Sequence, residues 1–91
     1  MRVAFVSLFA PGHGDTPARS RTRRVARGLA DRGHEVTWLC ARWWGGDHDV
    51  FEEEGITYRS VTADPAPSTF AARLPVALRR VAPDVVHAVN S

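Results

Sequence analysis

The stretch MRVAFVSLFAPGHGDTPARSRTRRVARGLADRGHEVTWLCA, residues 1–41, decides the fold. Val3 to Phe9 is an almost unbroken apolar run of strand length, bounded by Ala10-Pro11-Gly12, the pattern of a strand buried on both faces. Beyond the glycine loop, Ala18, Thr22, Val25, Ala26 and Leu29 recur at helical spacing, with Arg19, Arg23, Arg24 and Arg27 together on the other side. Asp15 or Thr16 can cap this helix, Pro17 suits its first position, where the missing N–H costs nothing, and Gly33 can take the left-handed stop. A helix over about Pro17 to Arg32 is expected, followed by a second buried strand, Glu35 to Ala41. Strand, glycine turn, helix and strand in this order predict a right-handed βαβ unit with parallel strands.

Outward from that unit, RWWGGDHD, residues 42–49, reads as a turn-rich linker. VFEEEGITYRSV, residues 50–61, predicts two short strands around Glu54-Gly55. The prolines of TADPAPS mark a loop. Thr69 to Val81 is apolar at helical spacing through Phe70, Leu74, Leu78 and Val81, with Pro75 either starting the helix proper or kinking it, and Pro83 closing it. Asp84 to Val89 predicts a further buried strand. The expectation is an α/β chain with a mainly parallel sheet and crossover helices, residues 1–91 forming a partial domain. Such sheets bind ligands at the carboxyl ends of their strands, here the Gly12 loop, Cys40 to Gly46 and His87 to Ser91. The chain stops where that rim should continue, which reads as a fragment.

Composition bounds the function classes. A hydrophobic fraction of 44% and a charged fraction of 24% are those of ordinary globular chains. A chain this small buries only about 60–65% of its unfolded surface, so the core will be thin. All 12 basic side chains other than histidine are Arg, yet the formal charge is only +2, too small to imply nucleic acid by itself. The single Cys40 forms no internal disulfide, which fits a reducing, cytoplasmic compartment. MRVAFVSLFAPG has the outline of a signal peptide, but its apolar run is short and leads straight into patterned sequence. No stretch approaches the roughly 20 apolar residues of a membrane span.

Among residues that can carry chemistry, the Gly12-His13-Gly14-Asp15-Thr16-Pro17 turn comes first. Glycine backbones let N–H groups approach an anion, and the following helix points its positive end at the same spot, a pocket for a diphosphate or carboxylate. A tight turn leading into a capped helix has the same sequence and binds nothing. Arg19 and Arg21, beside the turn, can reach a bound anion. The wider set with Arg23, Arg24 and Arg27 can grip nucleic-acid or lipid phosphates, or form only a solvated helix face, the simpler reading. A dinucleotide site would want Gly or Ala at Pro17 and an acid near the end of the second strand; Leu39-Cys40-Ala41-Arg42 supplies none, though Arg42 suits a 2′-phosphate, so an NAD(P)-binding fragment is the weaker alternative. With no Lys and no GxxxxGK[ST], a Walker-type NTPase is excluded. His13, His34, His48 and His87 make no metal-ligand spacing. His87, in an apolar strand, is either a satisfied core histidine or a group facing the cleft near Asn90 and Ser91. Trp43 and Trp44 read as core or lid rather than as a stacking platform for sugar.

With these segments in place, MRVAFVSLFAP, VARGLADRGHEVTWLC and RLPVALRRVAPDVVHA in register resemble the amino-terminal part of family 4 glycosyltransferases of the GT-B type. The resemblance implies two Rossmann-like domains facing a cleft and transfer of a sugar, with retention, from a nucleotide-diphosphate donor to a glycan, lipid or small-molecule acceptor. It implies that this chain supplies the acceptor-side half and that the donor-binding carboxylates lie in a carboxyl-terminal domain beyond it, leaving the chain alone without catalysis. No cofactor is implied, since the nucleotide sugar is a substrate. The resemblance gives the Gly12 to Pro17 loop a role and places His87 to Ser91 at the cleft; with the two arginines beside the turn, the candidate binding residues are Gly12, Gly14, Thr16, Arg19, Arg21, His87 and Asn90. Two positions depart from the family pattern: the usual Gly-Gly pair before the first helix falls on Thr16-Pro17, and a second histidine two residues after His87 is Val89. The remaining alternatives are a non-catalytic half-Rossmann module that covers its open sheet edge by self-association or with a partner, and peripheral membrane contact through the basic helix. Nucleic acid is not an expected partner.

Overall fold

The computed structural model describes residues 1–89. Its elements are β1 (Arg2–Val6), a short 3-10 turn (Pro11–His13), α1 (Pro17–Asp31), β2 (Glu35–Ala41), β3 (Val50–Glu53), β4 (Ile56–Thr62), α2 (Pro67–Val81) and β5 (Val85–Ala88). One sheet has the order β3-β4-β2-β1-β5. β4, β2, β1 and β5 run parallel, and β3 joins β4 antiparallel. This is a Rossmann-like α/β arrangement with one helix on each face. Among the described residues no helix is long and apolar enough to cross a membrane.

The local signals act as their chemistry dictates. Thr16 Oγ1 accepts the Arg19 amide at 3.1 Å and Pro17 opens α1. At the other end Gly33, with φ 90°, lets its own amide reach the Ala30 carbonyl and the His34 amide reach that of Leu29, the paired bonds of a Schellman stop. Glu54 and Gly55 both have positive φ and join β3 to β4 by the two-residue turn that matches strand twist. The ladder of β1 outlasts the strand proper: the Ser7 amide bonds to the Leu39 carbonyl and the Ala41 amide to that of Leu8. α2 begins at Pro67, two residues earlier than the periodicity predicts, and continues through Pro75.

Alternation along β2 splits the core in two. Val36, Trp38 and Cys40 face α1, with Phe5, Ile56, Tyr58 and Ala26. Leu39 faces α2, with Val61, Phe70, Leu74 and Leu78. Trp38 is the centre of the first half, its ring 5.5 Å from Phe5 and 5.8 Å from Tyr58. Its indole N–H donates to Ser7 Oγ at 2.9 Å, and Ser7 Oγ in turn donates to the Phe9 carbonyl at 2.6 Å. Both polar groups are thereby paired inside the core.

Two expectations need correction. The inner face of α1 is centred on Ala26, with Leu29 and Ala30 packing beside it, whereas Val25 is 55% exposed. Arg19 and Arg23 accordingly are half-buried, while Arg21, Arg24 and Arg27 are exposed. Long aliphatic stems let arginine border an apolar interface in this way. The last strand is not buried: β5 is an edge strand, the helices pack over β2 and β4, and Val85 and Val86 stay 46% and 50% exposed.

Candidate functional site

The carboxyl ends of β1, β2, β4 and β5 form one rim, and the turn between β1 and α1 lies on it. His13 folds that turn on itself. Its Nδ1 accepts the Ala10 amide at 3.0 Å, which leaves the proton of the neutral ring on Nε2. Burial above all, reinforced by the charge of Arg19, holds the His13 imidazole below its usual 6.5. The ring is edge-on to Phe9 at 5.3 Å.

The two glycines of the turn do different work. Gly12 has no positive φ; a Cβ there would lie 2.0 Å from Cδ2 of Trp43, so glycine is needed because an indole lies flat on the backbone. Gly14, with φ 149°, is needed for its backbone angle, and its carbonyl accepts Arg19 Nη1 at 2.7 Å. The Arg19 guanidinium also sits 5.4 Å from the centre of the Phe9 ring. Asp15 lies 3.9 Å from Arg23 Nη2.

These contacts define what the turn can offer an anion. Pro17 has no N–H and the Arg19 amide is held by Thr16, so in the first turn of α1 the Ala18 amide is left, among the described residues, beside the positive helix end. Arg19 is already committed to Gly14 and Phe9, whereas Arg21 is exposed and makes no ion pair within 4.0 Å among the described residues. The structure therefore brings Gly12, Gly14, Thr16 and Arg19 together and leaves Arg21 on the outer surface of the same helix end.

His87 stands apart from this turn, on β5. It is paired in register with Phe5, its ring 5.4 Å from the Phe5 ring, and it is exposed. Asn90, the remaining expected contact, lies outside the described residues.

The tryptophans belong to the core. Trp43 meets Phe51 at 5.0 Å and Tyr58 at 5.4 Å, both edge-on, and Trp44 is buried with its indole N–H donating to the His48 carbonyl at 2.7 Å. Burial pushes the Cys40 thiol up to about 12, so it is no nucleophile at neutral pH. Burial first, then Glu53, pushes the Tyr58 hydroxyl to about 12 as well. No group of three His, Cys, Asp or Glu side chains among the described residues is arranged to hold a metal ion. The rim thus supplies amide, guanidinium and imidazole groups, which bind anions and hydroxyls. Sequence reasoning missed the Gly12–Trp43 contact, for which two aromatics beside a glycine-rich rim were the one available hint. It also missed arginines on the α2 side of the sheet, legible only as the seven-residue spacing of Arg73 and Arg80.

Comparison with known proteins agrees with the architecture. The sequence model of a glycosyl transferase 4-like domain matches residues 18–91. No curated protein matches the chain. Among solved structures, a sucrose-phosphate synthase from Thermosynechococcus elongatus superposes with a TM-score of 0.70 at 15% identity, over 96% of this chain and 26% of that one. At such identity the likeness concerns the fold, and the chain spans about a quarter of that protein's length.

Proposed function

This chain belongs to the glycosyl transferase 4-like family, and we propose that it forms the acceptor-side part of a retaining glycosyltransferase. Such an enzyme moves a sugar from a nucleotide-diphosphate donor to a glycan, lipid or small-molecule acceptor. On this reading residues 1–91 are a partial Rossmann-like domain, and the donor-binding half is a second domain. The observation that carries the proposal is the turn between β1 and α1: a glycine backbone, the free Ala18 amide and the positive end of α1 converge on the ligand rim of a parallel sheet. Arg21 would complete a diphosphate contact from the helix surface, and His87 would face the acceptor from the end of β5. Thr16-Pro17 in place of the usual Gly-Gly pair removes one backbone N–H, at Pro17, and shifts weight to the arginine.

The work of this half is binding and orientation. Holding the acceptor against a donor fixed by the other domain converts a bimolecular encounter into a local one, the largest contribution a domain without reacting groups can make. The test expresses the chain together with whatever its gene encodes after Ser91 and follows nucleoside diphosphate released from nucleotide sugars. Turnover is expected to fall in Arg21→Glu and in His87→Ala, with the 91-residue chain alone inactive. Unchanged turnover in both variants removes the two residues from the site, and transfer by the short chain alone overturns the division of labour.

A further inference from the structure

On the opposite face of the sheet from α1, a groove of about 500 Å³ runs between α2 and β4. Arg42 enters it from the end of β2, Arg59 from the middle of β4, and Arg73 and Arg80 from α2, two turns apart and hence on one helix face. Asp49 is the one acid lining it, and its carboxylate accepts the Ser60 hydroxyl at 3.3 Å. Among the described residues the ion pairs join Arg2 to Glu35, Arg23 to Asp15 and Arg27 to Glu54, so none of these four guanidiniums is neutralised by a carboxylate within 4.0 Å. Glu35 and Glu52 stand in the adjoining groove beyond Arg59 and Arg80, without pairing with either.

Four cations against one acid around one concavity leave a positive excess there, and walls of low dielectric concentrate its field inside the groove. That arrangement favours an anion of more than one charge. Guanidinium forks match phosphate oxygens two at a time, and the exposed Val76 between Arg73 and Arg80 offers an apolar wall to the remainder of a ligand. Arg59 rises from the sheet and Arg42 is half-buried at its end, so a flat bilayer resting on α2 would not reach both. We propose that this groove is a binding site for a phosphorylated small molecule, held through its phosphomonoester or diphosphate group. The site lies on the flank of the sheet that carries α2, and it does not depend on the glycosyl-transfer reading.

Inorganic pyrophosphate titrated into the 91-residue chain, followed by NMR at the arginine Nε–H groups, tests the proposal without any turnover assay. Saturable shifts at Arg42, Arg59, Arg73 and Arg80 are expected. Arg73→Gln and Arg80→Gln should each weaken binding about tenfold, and Arg80→Lys should recover part of the loss because it keeps the charge without the fork. Arg24→Gln, on the far helix, should change nothing, and amide spectra of each variant establish that the fold persists. Absence of saturable shifts, or equal weakening by Arg24→Gln, overturns the site. Retention on phosphatidylglycerol vesicles without any response to pyrophosphate overturns it in favour of a membrane surface.

Discussion

Gly12 and Gly28 carry the same residue type for opposite reasons, and substitution by alanine separates them. At Gly12 the added Cβ would fall 2.0 Å from the Trp43 ring, so the indole or the turn must move; Gly12→Ala is expected to lose about 1–3 kcal/mol, as overpacking does. At Gly28, inside α1, nothing lies within 4 Å, and Gly28→Ala should gain about 1 kcal/mol from helix propensity alone. Urea unfolding of the two variants checks the pair; a neutral Gly12→Ala would show that Trp43 does not rest on that backbone. His13 supplies a second prediction. Its folded pKa lies below the usual 6.5, so between the two values the unfolded chain binds the extra proton. Stability from this group is present above pH about 6.5 and is lost as pH falls through that window. Replacing His13 by Gln should flatten the acid side of the stability profile, read from urea midpoints across the pH range, and an unchanged slope would assign the effect elsewhere. Neither residue's role was legible in the sequence. A glycine spaced for a turn and a glycine under an indole look alike until a side chain 31 positions away is brought onto one of them.

Elements were far more legible than the residues within them. β2 is a β-branched and apolar run that begins soon after Gly33, and the turn after β3 is marked by Gly55, whose positive φ costs nothing; both are local chemistry. The inner face of α1 was misjudged because hydrophobicity alone points Val25 inward, while the helix docks through Ala26, whose small side chain allows close approach to the sheet. For β5, a run of Val, Val and Ala reads as buried, yet burial of a strand depends on what covers its edge and faces, and the sequence of the strand holds neither. Thr16 is the element-scale test of the rim. Its hydroxyl already caps α1, so Thr16→Ala should cost about 1 kcal/mol with no ligand present, and Thr16→Asn should cost little. For a domain of this size each kcal/mol moves the melting temperature by roughly 4–8 °C. A Thr16→Ala chain that melts with the parent would free the hydroxyl for ligand contact and return Thr16 to the binding set.

At the scale of the whole molecule the asymmetry of the sheet matters most. One margin is closed by β3, whose strand carries Glu52 and Glu53 and deters further pairing. The other margin is β5, with Val85 and Val86 exposed on its two faces and backbone groups on its outer side unpaired by any described strand. An apolar, uncharged edge of this kind is a template for another strand. A second copy of the chain can supply that strand, so the 91-residue chain should associate through β5 as its concentration rises. Sedimentation velocity over a concentration series checks this. Val86→Lys, which places a charge on the edge while leaving the α1 core untouched, should restore a monomer. Association that persists in Val86→Lys would place the contact elsewhere, with Val25 and the outer surface of α1 the next surface to test; a parent chain monomeric at every concentration would mean that β5 needs no neighbour.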